Sequence, residues 1–166
     1  MGAGKSAVAQ SLGERLGTSV ADLDAMIEAV EGCTVAELFA RSGEAWFRRR
    51  EGELLASVVE SGVGVIACGG GVVLDPVRRA VLRESCRVVW LEVTPEEAAR
   101  RITAASDDPA GMRPLLAGGD AVTRLRELLA QRAALYAEAA DLRVPTDGLD
   151  PAQVAERVLA GVVGPA

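Results

Sequence analysis

The chain has 166 residues, of which 49% are hydrophobic and 25% charged, and its formal net charge is −6. This length fits one compact domain that buries a core without disulfide or metal staples, and no apolar run approaches the roughly 20 residues needed to cross a bilayer. The acidic balance disfavours nucleic acid and acidic membrane surfaces as partners, and because the chain has no histidine, any proton transfer falls to a carboxylate.

The sequence opens with half of a phosphate-binding loop. Residues Met1-Gly2-Ala3-Gly4-Lys5-Ser6 match the end of the pattern G-x-x-x-x-G-K-[ST], in which backbone N–H groups surround phosphates, the lysine reaches the terminal phosphates and the hydroxyl binds Mg²⁺. Lys5 is the only lysine among 18 basic residues. Val8, Leu12 and Leu16 then recur at helical spacing, which predicts a helix whose N-terminus faces the phosphates. A chance match is the alternative interpretation.

Two aspartates follow at residues 22 and 24. Residues 19–24 are predicted to form a short strand, in which Asp22 and Asp24 would point to the same side of an extended chain. Two acids beside a phosphate site can serve Mg²⁺ and a nucleophilic hydroxyl. The alternative is a helix cap and a solvated residue.

Helices are predicted next, with a capping box at Thr34–Glu37, a stop near Gly43 and a longer helix that ends near Gly62. Arg48 lies near the beginning of that longer helix, where the helix dipole disfavours a cation. This position suggests a function for Arg48, although residues 48–50 are all arginine and could form a solvated charged face.

A glycine triplet follows a buried strand. Residues 64–68 form a continuous apolar run that is typical of a buried parallel strand, and Gly69, Gly70 and Gly71 come directly after it. Three glycines cost more backbone entropy than a turn requires, and they allow a ligand to lie directly on the main chain. A merely flexible loop is the alternative.

The rest of the chain alternates between helices and strands. A capped helix is predicted at Asp75-Pro76, a strand over residues 86–93, a helix from Thr94, a strand over residues 141–146 and a helix from Asp150-Pro151. This alternation indicates an α/β fold with helices on a parallel sheet. We see no internal repeat or linker and expect a single domain over residues 1–166.

Two candidate site arginines, Arg113 and Arg132, lie in the remaining segment. Residues 103–119 lose the regular pattern and contain Arg113, so they are our candidate lid, and its arginine could neutralise charge on a transferring phosphoryl group. A helix is then predicted from Asp120 to about Ala140, with Arg132 on its apolar stripe. Such a cation needs an anion nearby, unless the side chain extends to the surface.

Taken in order, these signals resemble the shikimate kinases over nearly the whole chain. They are the phosphate loop, Asp22-Leu23-Asp24, Phe47-Arg48, Gly69-Gly70-Gly71, Arg113-Pro114-Leu115-Leu116, and Arg132 with Leu135-Tyr136. The resemblance implies a three-layer α/β/α P-loop kinase fold with a five-stranded parallel sheet, and transfer of the ATP γ-phosphoryl to the 3-hydroxyl of shikimate. A kinase for another small hydroxylated metabolite and a non-catalytic nucleotide-binding remnant are the alternatives.

The resemblance also implies a role for individual residues. Phosphates would be held by Gly2, Ala3, Gly4, Lys5 and Ser6, with the Ser6 hydroxyl on Mg²⁺ and Asp22 behind it through water. Asp24 would bind the ring hydroxyls and accept the proton, with Lys5 and Arg113 as its catalytic partners. Shikimate would be bound by Asp24, Arg48, Gly69, Gly70, Gly71 and Arg132, and adenine would lie near Arg101 and Pro151.

The chain departs from the family's pattern in two places, because residues 104–111 of the lid look longer than usual and the start of the chain differs. The family's central strand precedes the phosphate loop and is absent from these 166 residues, so we expect Met1 to be an internal residue and the sheet to contain a gap with two exposed ladders. The three cysteines lack metal-ligand spacing. We expect reduced thiols in a cytoplasmic monomer that needs ATP, Mg²⁺ and shikimate but neither nucleic acid nor membrane.

Overall fold

A computed structural model describes residues 2–104 and 121–163 of the chain. Helices and short strands alternate along it. Their order is α1 (Lys5–Leu16), β1 (Val20–Asp22), α2 (Leu23–Glu31), α3 (Val35–Glu60), β2 (Val65–Ala67), a 3₁₀ turn (Val72–Leu74), α4 (Pro76–Ser85), β3 (Val89–Glu92), α5 (Pro95–Ala104), α6 (Ala121–Ala139), β4 (Leu142–Pro145) and α7 (Pro151–Val163). None of the helices within the described ranges is both long and apolar enough to cross a membrane.

The strands form two parallel pairs. β1 pairs with β2, with Val20 opposite Val65, and β3 pairs with β4, with Val89 opposite Leu142. Between the pairs lies an apolar cavity of about 460 Å³, which we name the inter-sheet cavity and which is lined by residues of both β2 and β3. The expected parallel α/β architecture with a gap in its sheet is therefore present in the described residues.

Helix α1 connects the two pairs. It packs against β1 and β2 on one side and against α7 on the other. Its residue Val8 belongs to a buried cluster with Val144, Val154 and Val158, which joins α1 to β4 and α7. A second cluster, which includes Leu23, Leu55 and Val58, covers the β1–β2 pair. Burial of these side chains from α1, α2, α3 and α7 compensates for the small number of strand-to-strand hydrogen bonds.

The helix boundaries follow local signals in the sequence. Thr34 and Glu37 form the expected capping box at the start of α3. Asp75 accepts a hydrogen bond from Val77 N–H at 2.8 Å, with Pro76 as the first helical residue of α4. The predicted stop at Gly43 is a kink inside α3, where Gly43 has φ 78° and ψ 164°. Arg48 therefore lies near the start of the part of α3 that follows the kink.

The expected extended conformation of residues 22–24 is wrong. β1 ends at Asp22, and Leu23 is already the first residue of α2. Asp22 caps this helix by accepting a hydrogen bond from Ala25 N–H at 3.2 Å, and Asp24 lies in its first turn. The side-chain oxygen of an N-cap residue satisfies an amide that has no partner within the helix, which favours the helical turn over a longer strand.

Candidate active site

The phosphate loop leads directly into α1. Gly4 is the N-cap of this helix and has φ 79°, and Gly2 has φ 69°, so both need the left-handed conformation that glycine adopts without strain. A Cβ on Gly2 would also lie 2.7 Å from Ala98 Cα in α5. The Ala3 side chain is buried among Val93, Ala98 and Leu125. Only the backbone of these residues can therefore face a ligand, beside the unpaired amides and the positive end of α1.

One cavity of about 440 Å³ brings together most of the predicted site residues. We name it the candidate cavity. Its lining contains Lys5, Ser6, Asp22, Asp24, Arg48, Gly69, Gly70, Gly71, Arg132 and Tyr136. Residues of α1, β1, α2, α3, the glycine turn and α6 contribute to this lining. A lining that combines a phosphate-loop lysine and hydroxyl with carboxylates and two arginines suits two substrates that must react with each other.

Oxygen ligands for a hard cation lie at the phosphate-loop end. The Ser6 hydroxyl donates a hydrogen bond to Asp22 Oδ2, across 16 residues of sequence. A hydroxyl and a carboxylate fit Mg²⁺, which binds through a few protein oxygens while phosphate and water complete its octahedron. The described residues contain no group of three or more carboxylate, thiol or imidazole side chains that could hold a metal ion alone.

The glycine turn after β2 is closely packed against charged side chains. A Cβ on Gly69 would lie 2.8 Å from Glu51 Oε1 and 3.1 Å from Asp24 Oδ1, and a Cβ on Gly71 would overlap the Arg48 guanidinium. The Gly70 carbonyl accepts hydrogen bonds from the Tyr136 hydroxyl at 2.6 Å and from Arg132 Nη1 at 3.4 Å. The triplet is thus fixed by α3 and α6, and its lack of side chains is a steric requirement.

Arg48 is held by two carboxylates and two aromatic rings. Its Nη1 lies 2.8 Å from Glu51 Oε2 and its Nε lies 3.2 Å from Glu44 Oε1. The guanidinium carbon is 5.8 Å from the Phe39 ring centre and 5.2 Å from that of Phe47. Burial lowers the pKa of Arg48, but the ion pairs with Glu51 and Glu44 outweigh burial and raise it. Arg48 is therefore a permanent cation at this end of the cavity.

Cys68 is the one thiol in the lining of the candidate cavity. Burial raises its pKa to about 12. The thiol is therefore protonated at neutral pH, and it does not compete as a nucleophile with a bound hydroxyl. The Asp24 carboxylate lies beside the glycine turn and lines the same cavity as Lys5.

Five predicted phosphate or nucleotide contacts among the described residues are absent from the lining of this cavity, namely Gly2, Ala3, Gly4, Arg101 and Pro151. Arg101 donates hydrogen bonds to the Thr146 carbonyl at 2.6 Å, to the Gly2 carbonyl at 3.4 Å and to Glu97 at 2.7 Å, so it joins the phosphate loop to the end of β4. Pro151 is the first residue of α7. Arg113 and the candidate lid from residue 105 onward lie outside the described residues, whereas residues 103 and 104 end α5.

Two charged residues beside the site were not predicted from the sequence. Glu51 is fully buried between Arg48 and the glycine turn, and Arg78 of α4 lies 3.2 Å from Glu51 Oε2. Glu51 could have been recognised because it lies among the apolar residues that recur at helical intervals along α3. A carboxylate on such a buried face needs a partner of opposite charge. No comparable signal existed for Arg78, because 27 residues separate it from Glu51.

Comparison with known proteins gives one family. The family model described as shikimate kinase matches residues 1–162. The shikimate kinase of Gloeobacter violaceus is 48% identical over 159 residues, which cover 96% of this chain and 86% of that protein. The shikimate kinase of Symbiobacterium thermophilum is 46% identical over 147 residues, which cover 89% of this chain and 83% of that protein.

A solved structure has the same fold. The shikimate kinase from Acinetobacter baumannii in complex with shikimate superimposes with a TM-score of 0.90 at 32% identity, covering 98% of this chain and 88% of that one. The sequence match extends from the phosphate loop through α7, and the structural match includes both parallel strand pairs. The chain therefore belongs to the shikimate kinase family.

Proposed function

We propose that this kinase transfers the γ-phosphoryl group of ATP to the 3-hydroxyl of shikimate, which yields shikimate 3-phosphate for aromatic amino-acid biosynthesis. One observation carries the proposal. The lining of a single cavity combines Lys5 and Ser6 of the phosphate loop, the cations Arg48 and Arg132, and the carboxylate of Asp24. The carboxylate-bearing acceptor named for the Acinetobacter baumannii relative fits this arrangement of charge.

The phosphate-loop end would bind ATP. The amides at the start of α1, with Gly2, Ala3 and Gly4 before them, would donate hydrogen bonds to phosphate oxygens, and Lys5 would contact the terminal phosphates. Mg²⁺ would be held by the Ser6 hydroxyl, with Asp22 behind it, and would offset charge on the phosphates.

The opposite end would bind the acceptor. Guanidinium groups match a planar carboxylate through paired hydrogen bonds, so Arg48 and Arg132 would hold the shikimate carboxylate. Gly70 and Gly71 would offer backbone N–H groups, and Gly69 allows the Glu51 and Asp24 carboxylates to lie close to the main chain of the turn. In this arrangement the acceptor presents a hydroxyl to Asp24 and to the phosphate loop together.

The chemical step needs one proton acceptor. The acceptor oxygen forms a bond to the γ-phosphorus, the bond from that phosphorus to the ADP oxygen breaks, and the hydroxyl proton passes to Asp24. Lys5 would stabilise the charge on the transferred group and on ADP, and a Mg²⁺ ion held by Ser6 would supply further positive charge there. A carboxylate is sufficient as the acceptor of this proton because phosphoryl transfer depends mainly on alignment and charge stabilisation.

Several further assignments belong to this proposal. Arg113, on a lid formed by residues 103–119, would approach the phosphates, and Arg101 and Pro151 would lie near adenine. For Arg101 the geometry supports an indirect contribution, because its guanidinium binds the Gly2 carbonyl and Thr146. We further propose one domain over residues 1–166 that acts as a cytoplasmic monomer, with neither nucleic acid nor membrane as a partner.

An acceptor panel tests the proposal. ADP release is measured with shikimate, gluconate and a nucleoside, each with ATP and Mg²⁺. We expect turnover with shikimate alone. Turnover with gluconate or the nucleoside would support a kinase for another metabolite, and binding of ADP without turnover on any acceptor would support a non-catalytic nucleotide-binding protein.

A further inference from the structure

Arg78 is a buried cation that does not line the candidate cavity. It lies on α4, and its side chain is 10% exposed. Nη1 lies 3.2 Å from Glu51 Oε2, and Nη2 donates a hydrogen bond to the backbone carbonyl of Arg48. A buried arginine that contacts both the main chain of Arg48 and its carboxylate partner can influence Arg48 without touching a ligand.

The fold makes room for this side chain. A Cβ on Gly52, the residue after Glu51, would lie 2.9 Å from Arg78 Nε. Any other residue at position 52 would push Arg78 away from α3. The only other carboxylate within ion-pair distance of Arg78 in the described residues is Asp75, at 3.4 Å, and this carboxylate also caps α4. Arg78 is thus directed at Glu51 by the shape of both helices.

Glu51 carries one negative charge between two cations. Oε2 contacts both Arg48 and Arg78, whereas Oε1 is buried without a hydrogen-bond partner in the described residues and lies next to Gly69 and Asp24. Burial raises the pKa of Glu51, although Arg48 and Arg78 oppose this effect. The three groups together hold one excess positive charge. Without Arg78, the charge of Glu51 would be balanced by Arg48 alone.

We propose that Arg78 is a positioning residue for the carboxylate of the acceptor. Because Arg78 and Arg48 share the negative charge of Glu51, this charge neutralises Arg48 less completely. Arg48 therefore keeps its orientation and its attraction for the acceptor carboxylate. This inference rests on the proposed function, in which Arg48 binds the shikimate carboxylate. Arg78 itself touches neither substrate. Glu44, which also contacts Arg48, is half-exposed, so water screens it more than it screens Glu51.

Steady-state kinetics of Arg78→Met, with Arg79→Met as the matched control, test the proposal. Methionine keeps much of the buried volume but removes the charge. Arg79, the adjacent residue on α4, instead contacts the Val73 carbonyl and Glu138. We expect Arg78→Met to raise KM for shikimate about tenfold, as contacting charges couple over this range. KM for ATP and kcat should each stay within about twofold, and Arg79→Met should leave both KM values near those of the parent chain.

A neutral acceptor gives a second readout. The carboxamide of shikimate presents no charge to Arg48, so Arg78→Met should change its KM much less than it changes KM for shikimate. A general loosening of the fold would weaken both acceptors equally and would overturn the proposal. Arg78→Lys restores the charge at this position, and we expect it to recover part of the lost affinity for shikimate. If Arg78→Met does not fold, Arg78→Lys is compared with the parent chain instead. We then expect a smaller increase in KM, and we expect this increase for shikimate but not for ATP.

Arg48→Met separates the two proposals. If this variant binds shikimate as well as the parent chain does, the assignment of Arg48 in the proposed function fails. If Arg48→Met weakens shikimate but Arg78→Met behaves like Arg79→Met, the proposed function stands and the positioning role of Arg78 is overturned.

Discussion

In the proposed function, the chemical step depends most on the Asp24 carboxylate. It lies in the first turn of α2, beside the glycine turn, and lines the same cavity as Lys5. Because asparagine has nearly the same shape but accepts no proton, we expect Asp24→Asn to lower kcat about 100-fold or more. KM for ATP should stay within about twofold, since Asp24 is predicted to act on the acceptor.

Kinetics at saturating shikimate measure both quantities. Glu28→Gln is a suitable control, because Glu28 lines the same cavity but its carboxylate accepts a hydrogen bond from Val35 N–H at 2.8 Å. Comparable losses in turnover and in ATP affinity for Asp24→Asn would argue that Asp24 supports the fold of the phosphate site and does not act as the proton acceptor.

At the scale of single residues, the sequence predicts those functional residues whose position depends on neighbouring residues in the chain. Lys5 and Ser6 are placed by the glycines before them and the helix after them, and Arg48 stands out because it lies where the helix dipole disfavours a cation. The contacts of Arg78 could not be predicted in this way. They depend on how α4 packs against α3, which no local pattern of either helix determines.

Helix α5 contains a carboxylate whose pKa is strongly lowered by its arginine neighbours. Glu97 accepts hydrogen bonds from Arg100 and Arg101, each at 2.7 Å. The hydrogen bond from Arg100, followed by that from Arg101, lowers the pKa of Glu97 to about 2, from an ordinary value of 4.5. Because Arg101 also binds the Gly2 carbonyl and Thr146, this acid helps to fix the end of β4 beside the phosphate loop.

We predict that this carboxylate makes stability depend on pH. A lowered pKa in the folded state means that the contribution of Glu97 is fully present above pH 4.5 and is lost as the pH falls towards about 2. Glu97→Gln should therefore reduce the free energy of unfolding at pH 7, and its difference from the parent chain should shrink between pH 4.5 and 2. Urea unfolding at a series of pH values measures this difference.

Glu96→Gln is the neighbouring control. Glu96 is 61% exposed and forms an ion pair with Arg126 at 2.7 Å. Exposed pairs of this kind contribute little to stability. A difference between Glu97→Gln and the parent chain that stays constant from pH 7 to pH 2 would contradict the proposed electrostatic contribution.

The elements themselves could be predicted well where capping residues mark them. The capping box at Thr34 and the Asp75-Pro76 start both have the expected geometry. The strand ends were less predictable. β1 is three residues long because Asp22 caps α2, so that one side chain ends a strand and begins a helix. An alternation of apolar and acidic residues does not distinguish these two states.

At the scale of the whole molecule, the inter-sheet cavity separates the two strand pairs. In a parallel ladder, alternate residues direct their amides to opposite edges. Val65 N–H donates to the Ser19 carbonyl at 3.1 Å, so the next amide, that of Ile66, faces the cavity. The Val88 carbonyl accepts from Leu142 N–H at 3.2 Å, which directs Trp90 towards β4 and Leu91 towards the cavity.

This alternation predicts an unusual pattern of amide hydrogen exchange. The amides of Ile66 and Leu91 should exchange about 100-fold faster than those of Val65 and Trp90, because protection depends on a hydrogen bond that must open and not on depth in the fold alone. Each fast amide has its sequence neighbour as an internal control, with the same local stability and nearly the same solvent access. Exchange followed by NMR at single-residue resolution would measure all four rates. If all four amides were equally protected, another extended segment would have to cover the facing edges of β2 and β3, and the inter-sheet cavity would be closed in solution.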